Sequence, residues 1–302
     1  MSKIRILVLG ASGFIGNHVF DFLSKSYTTF GTYFRNDNVG NRNKNKFYNL
    51  NILEPDRLKN LIEKLQPDVL INSIAISSPK KAELNPDLAY KINVHGTGII
   101  VDLCKRYDLM LIHFSSDNVF NGKKLRNELY TEEDIPDPIN YYGKTKALSE
   151  KKCFELENSI ILRTALVYGK ILTGQHENFV HKVIKLCSRN ETISAYFDQY
   201  RTPISVLDIA RVIKSIIQNK NRINYKIFNI AGPEILSRYE MALETCEVFG
   251  FNKSLIKKAK CPDPLMPANL ALDTSRISNL LNFKFKNFKD RLIEIYKNGS
   301  KK

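Results

Sequence analysis

The N-terminal stretch IRILVLGASGFIG (4–16) constrains the fold more than any other part of the chain. Its apolar run at 4–10 predicts a strand buried on both faces, because a strand with one wet face would alternate. Gly10, Gly13 and Gly16 follow in G-x-x-G-x-x-G spacing, and a helical pattern runs on over 14–25. A tight strand-to-helix turn needs glycine. A glycine also lets the backbone approach a pyrophosphate. A third lets the helix pack against the strand with its N-terminal N–H groups aimed at the phosphates. Ser12, Phe14 and Ile15 complete the loop as candidate cofactor contacts. The plain alternative is a turn with no ligand, and the strand–loop–helix context favours the dinucleotide site.

The same rhythm continues. Strands are expected at 28–34, 47–52, 68–75, 109–116 and 159–167, with helices at 54–65, 86–106 and 141–156. Alternating strands and helices make βαβ units, hence an α/β protein with a doubly wound parallel sheet covered on both faces. After 168 the rhythm breaks. Helices near 177–188, 207–218, 237–249 and 286–297, a strand at 226–232 and the proline-rich CPDPLMP (261–267) predict a smaller, irregular C-terminal lobe. The expected division is a nucleotide-binding domain over 1–168, which also receives about 205–232, and a substrate-binding lobe formed mainly by 169–302. Residues 36–46 read as a polar, basic loop.

Composition narrows the class. Of 302 residues, 43% are apolar and 25% charged, as in a soluble globular protein. No run of about 18 apolar residues suggests a membrane span, and the N-terminus reads as a buried strand rather than a signal peptide. Five widely spaced cysteines without a CxxC suit reduced thiols in the cytoplasm. The formal charge of +15 could serve nucleic acid, but the lysines are scattered with no aromatic-basic module, so a nucleic-acid role is disfavoured. An anionic small ligand would also profit from that field. The histidines fit no metal spacing: His176 and His181 read as surface residues, His95 and His113 as structural ones. No protein-built metal site is assigned.

Arg35 stands where strand two ends, and no carboxylate does. An acid there would take the ribose 2′-hydroxyl of NAD, whereas arginine welcomes a 2′-phosphate, so NADPH is favoured over NADH. A solvated surface arginine is the alternative. Asn51 and Ile52 close the third strand, where an amide can meet the adenine amino group. In YYGKTK (141–146) only Tyr142 has a lysine four residues on, at Lys146, so these two share a helical face. A buried ammonium beside the phenol is expected to lower the tyrosine pKa and make Tyr142 a usable proton donor or acceptor. Tyr141 reads as packing or substrate-facing. Strand 109–116 ends in FSSDNVF, which puts the Ser116 hydroxyl at the carboxyl edge of the sheet, where ligands of such folds sit.

The chain resembles the extended short-chain dehydrogenase/reductases, and among them the dTDP-4-dehydrorhamnose reductases. The matching stretches are GASGFIG (10–16), NSIAISSPKKAELNPDLAYKINVHGT (72–97), FSSDNVFNG (114–122), YTEEDIPDPINYYGKTKALSE (130–150), ILRTALVYG (161–169), DQYRTPISVLDIA (198–210), FNIAG (228–232) and PANLALDTSRI (267–277). The resemblance implies a Rossmann-type sheet with a small C-terminal substrate lobe. It implies that Ser116 is the catalytic hydroxyl, Tyr142 the acid and Lys146 the ribose-binding lysine, with Asn93 holding the site together. Ser73, Ile74 and Ala75 fall at the cofactor. Ser77, Asp117, Asn118, Leu166, Asn178 and Arg201 fall at the substrate, a nucleotide-sugar with a C4 ketone. Related 4,6-dehydratases carry Asp-Glu after the hydroxyl, and here the pair is Asp117-Asn118; an amide cannot be the base that dehydration needs. Fucose-synthase-like relatives place a cysteine there, and this chain has none. Plain C4 reduction remains, with 4-epimerisation as an alternative that uses the same triad. The chain departs from the reductases at Leu166, where they have tryptophan, and at Met266, where they have arginine. Arg201 replaces a glycine and is expected at the diphosphate. The regulatory subunit of methionine adenosyltransferase is also similar in fold and motifs, and offers a non-catalytic, NADP-binding alternative. The resemblance further implies a homodimer through segments 86–106 and 140–156, and Mg²⁺ assists some of these reductases.

Overall fold

The computed structural model describes residues 4–35, 44–171 and 177–297. Strand β1 (Arg5–Leu9) is buried on both sides: Ile6 and Val8 enter one apolar core, Leu7 and Leu9 another. Then come α1 (Phe14–Ser24), β2 (Thr28–Tyr33), β3 (Phe47–Asn49), α2 (Pro55–Leu65) and β4 (Val69–Asn72). Next are α3 (Pro79–Leu84), α4 (Pro86–Tyr90), a π-helical turn at Lys91–His95, α5 (Gly96–Arg106), β5 (Met110–Ser116), α6 (Tyr141–Phe154) and β6 (Ser159–Thr164). The later chain forms β7 (Val167–Tyr168), α7 (Phe179–Cys187), β8 (Ile193–Tyr196), β9 (Tyr200–Arg201), β10 (Ile204–Ser205), α8 (Val206–Gln218) and β11 (Ile227–Ile230). It ends in β12 (Leu236–Ser237), α9 (Arg238–Phe249), β13 (Ile256–Ala259), α10 (Ser275–Leu281) and α11 (Phe288–Leu292).

Seven strands make one parallel sheet in the order β11-β6-β5-β4-β1-β2-β3. Apolar residues of α1, α8 and α10 cover one face, and those of α2, α5 and α6 the other. The chain leaves β1 in one direction and returns at β4 to go the other way. The glycine loop therefore sits at the switch point, where a crevice opens between β1 and β4. The smaller lobe has its own apolar cores, built from α7, α9, α11, β8 and β13.

Several expectations need correction. The helix expected over 86–106 is not continuous: it runs as α4, the π turn and α5, and α3 precedes it. Pro79 and Pro86 each open a helix at its first position, and the residue before a proline is steered out of the α region. Strand three stops at Asn49, so Asn51 and Ile52 lie in the turn to α2; the Asn51 side chain accepts from the Leu53 N–H at 3.2 Å. Strand six stops at Thr164, and Val167–Tyr168 pairs with β10 in a separate small sheet. The last helix is Phe288–Leu292 followed by a second π turn. Ile277, Leu280, Leu281, Phe283 and Phe285 pack back on the first core, so this part of the expected lobe serves the larger domain. His95 is exposed, whereas His113 is fully buried. His176 and most of the 36–46 loop lie outside the described residues.

Candidate active site

The glycine loop and the end of β4 meet at the switch point. Gly10 has φ of +77°, the left-handed region that suits glycine. A Cβ on Gly16 would lie 2.4 Å from both the Gly10 carbonyl oxygen and Ser73 Oγ, so the helix start can come this close only without a side chain. Ser73 Oγ donates to the Leu9 carbonyl at 2.7 Å, and Ile74 lies over Gly10. Ser73–Ala75 and Gly10–Gly16 are thus brought together. Helix α1 starts at Phe14 after the N-cap residue Gly13, with no side-chain cap and no acid in its first turn. Helices α7, α8, α9 and α11 are capped by Asn178, Ser205, Ser237 and Asn287, whereas α2, α4, α5 and α10 share with α1 the lack of a side-chain cap. An uncapped N-terminus facing a close-packed glycine turn fits a dinucleotide pyrophosphate. Arg35 is exposed just beyond β2, its guanidinium 5.5 Å from the Phe34 ring centre.

Ser116 ends β5, and a 3₁₀ turn at Asp117–Val119 follows. Ser116 Oγ donates to Asp117 Oδ1 at 3.0 Å and accepts from the Asn118 backbone N–H at 3.2 Å. The Asn118 amide also donates to Asp117 at 2.8 Å, and Asn118 Oδ1 accepts from Asn140 at 3.2 Å. Asn140 in turn caps α6 by accepting from the Gly143 N–H at 2.8 Å. One polar chain therefore ties the Ser116 turn to the helix that carries Tyr142 and Lys146. Asn93, on the π turn, binds the Ile76 N–H at 2.8 Å and donates to Thr145 Oγ1 on α6 at 2.8 Å. It joins the strand-four edge to the same helix. Tyr141 packs beside Ala82, Ala89 and Tyr142.

The acidity expected of Tyr142 is overturned. Burial pushes its phenol up to about 12; a hydrogen bond with Ser116 works against the rise and the Asp117 charge adds to it. Lys146 is also buried, and its Nζ lies 3.3 Å from His113 Nε2. Burial pushes Lys146 down to about 8. Burial likewise raises the Asp117 carboxyl, although Arg201 opposes it.

Ser116, Tyr142, Ser77, Asp117, Asn118, Leu166, Asn178 and Arg201 all line one cleft of about 610 Å³ between the sheet edge and the smaller lobe. Two of these side chains are less available than expected. Asn178 caps α7 and donates to the Gly169 carbonyl at 2.7 Å. Arg201 is buried, with donors spent on the carbonyls of Tyr200 at 2.7 Å, Ala268 at 3.1 Å and Pro267 at 2.9 Å. Sequence reasoning missed Arg238 and Lys182 in the same cleft, and His113 beneath Lys146. Arg238 opens α9 in the lobe, between the FNIAG (228–232) and PANLALDTSRI (267–277) stretches and in neither, so no local signal marks it.

The model of the family described as RmlD substrate binding domain matches residues 4–300. The chain belongs to this family. Curated relatives include the methionine adenosyltransferase 2 subunit beta of Mus musculus, 31% identical over 91% of this chain and 82% of that protein. The dTDP-4-dehydrorhamnose reductase of Aggregatibacter actinomycetemcomitans is 30% identical over 76% of this chain and 81% of its own. Among solved structures, a hypothetical dTDP-4-dehydrorhamnose reductase from Sulfolobus tokodaii superposes with a TM-score of 0.81 at 30% identity, covering 95% of this chain and 98% of the other. The Bacillus anthracis dTDP-4-dehydrorhamnose reductase in complex with NADP gives 0.85 at 23% identity over 99% of both. The family's doubly wound sheet is the one described above. No helix among the described residues is long and apolar enough to cross a membrane.

Proposed function

We propose that this family member reduces the C4 ketone of a nucleotide-activated deoxysugar with NADPH. The supporting observation is that Tyr142 and Ser116 line the same cleft, with burial pushing the phenol pKa up so that it stays protonated at neutral pH. A phenol held protonated is set to donate, which is what ketone reduction asks of it. Ser116 turns its one hydroxyl proton from Asp117 to the ketone oxygen and polarises it. A bound nicotinamide supplies the hydride at C4. Tyr142 passes its proton to the oxygen as negative charge develops there, so the carbonyl becomes an alcohol. The Lys146 ammonium meets the nicotinamide ribose, and Arg35 meets the 2′-phosphate. The dTDP-4-dehydrorhamnose reductase among the curated relatives supports the substrate class. The homodimer also belongs to this proposal, with exposed Leu148 and Phe154 on α6 as apolar area for it.

The 31% identity to a methionine adenosyltransferase subunit favours a second reading, a regulatory chain that binds the cofactor without turning it over. A screen of nucleotide-4-ketosugars with NADPH separates the two. The proposal expects loss of nicotinamide absorbance with at least one of them. Tight NADPH binding with no oxidation by any of them would hand the assignment to the regulatory reading.

A further inference from the structure

Arg238 is the first residue of α9 and lines the same cleft as Ser116. Its guanidinium lies 5.0 Å from the Phe179 ring centre, and it makes no hydrogen bond or ion pair with any described residue. Arg201 is the opposite case. Three of its donor contacts go to carbonyls of β9 and the 267–268 segment, and its Nε stands 3.8 Å from Asp117 Oδ2. Burial works against the charge on Arg238, as does the Arg201 guanidinium, while the Asp117 carboxylate favours it. Asp117 is the carboxylate beside them, and its burial favours the neutral form. Lys182 adds an exposed cation at the rim. With Glu177 also exposed at that rim, the cleft lining carries three cations, Arg201, Arg238 and Lys182, against two carboxylates, Asp117 and Glu177. A guanidinium stacked on an aromatic ring keeps its edge free for a bidentate oxyanion.

We propose that Arg238 binds the diphosphate of the nucleotide-sugar, while Arg201 is a strut that fixes β9 against the 267–268 segment. This rests on the reading above and assigns its anion contact to a residue outside the sequence motifs. The test is calorimetric titration of dTDP, UDP and NADPH into native protein, Arg238→Gln and Arg238→Lys, with steady-state kinetics on the reducible ketosugar. Arg238→Gln should lose about tenfold or more in nucleoside diphosphate affinity, the scale of a charged hydrogen bond. Its KM for the ketosugar should rise with kcat near native, and its NADPH affinity should not move. Arg238→Lys, which keeps the charge without the fork, should fall between. Native protein that binds dTDP or UDP while Arg238→Gln binds it equally well overturns the assignment alone. Native protein that binds neither overturns the nucleotide-sugar reading and the assignment with it.

Discussion

Lys146 meets a histidine, and the hydrogen bonds around that histidine decide its charge. Asn72 Oδ1 accepts from the Ile74 N–H at 3.1 Å, which turns its amide nitrogen toward His113 Nδ1, also at 3.1 Å. Burial holds His113 well below its ordinary pKa, so the ring is neutral and Nδ1 is the acceptor. Nε2 then carries the proton and points it at Ser149 Oγ at 3.1 Å, leaving no lone pair for Lys146. An ammonium in this position waits for an acceptor from outside, and its pKa of about 8 follows from burial. The sign is direct: Lys146 is charged below about pH 8 and loses its proton as pH rises through that value. NADPH affinity, followed by fluorescence titration, should be strongest below pH 8 and weaken above it. Lys146→Met should bind weakly at every pH. A flat native profile from pH 7 to about 9.5 would show that the ammonium does not hold the ribose. That Tyr142 and Lys146 share a face of α6 was legible from their four-residue spacing. The direction of the tyrosine shift was not, because it depends on burial that only the packed helix creates.

Helix α6 reaches the Ser116 turn through a missing side chain. A Cβ on Gly143 would lie 2.0 Å from the Asn118 carbonyl oxygen, so glycine lets α6 and the 3₁₀ turn touch backbone to backbone. Gly143→Ala must push them apart. The expected outcome is a loss of about 1–3 kcal/mol in stability, as for overpacking. A shift of about 1 Å at the phenol should lower kcat by roughly 100-fold. Denaturant unfolding together with kcat would check both, and native turnover in this variant would mean the contact does not position Tyr142. The strands of the large sheet were legible because burial on both faces leaves apolar runs such as ILVL and VLIN. The break in the 86–106 helix was half legible: Pro79 announces α3, but nothing in KINVH marks a π turn. What the turn achieves is spatial, since it carries Asn93 to Ile76 and Thr145 at once.

The two halves of the molecule are clasped by charge. Arg291 of α11 is fully buried and binds Asp208 of α8 through Nε at 2.9 Å and through Nη2. Breaking one partner of a buried pair strands the other, so Asp208→Asn should cost about 3 kcal/mol and lower Tm. Calorimetry that found native stability would make this pair ornamental. Neither residue stands in a motif that predicts the other, and Arg238 was hidden for the same reason: lobe residues meet the sheet only in space. That closure gathers Ser116 from β5, Tyr142 from α6 and Arg238 from α9 into one cleft, and the proton delivered there is the centre of the proposal. Its most direct test is kcat for Tyr142→Phe and Tyr141→Phe on the ketosugar that native protein reduces. Tyr142→Phe should lose on the order of 10²–10⁴ in kcat with NADPH affinity unchanged, and Tyr141→Phe should keep turning over. A Tyr142→Phe enzyme as fast as native would contradict the mechanism outright.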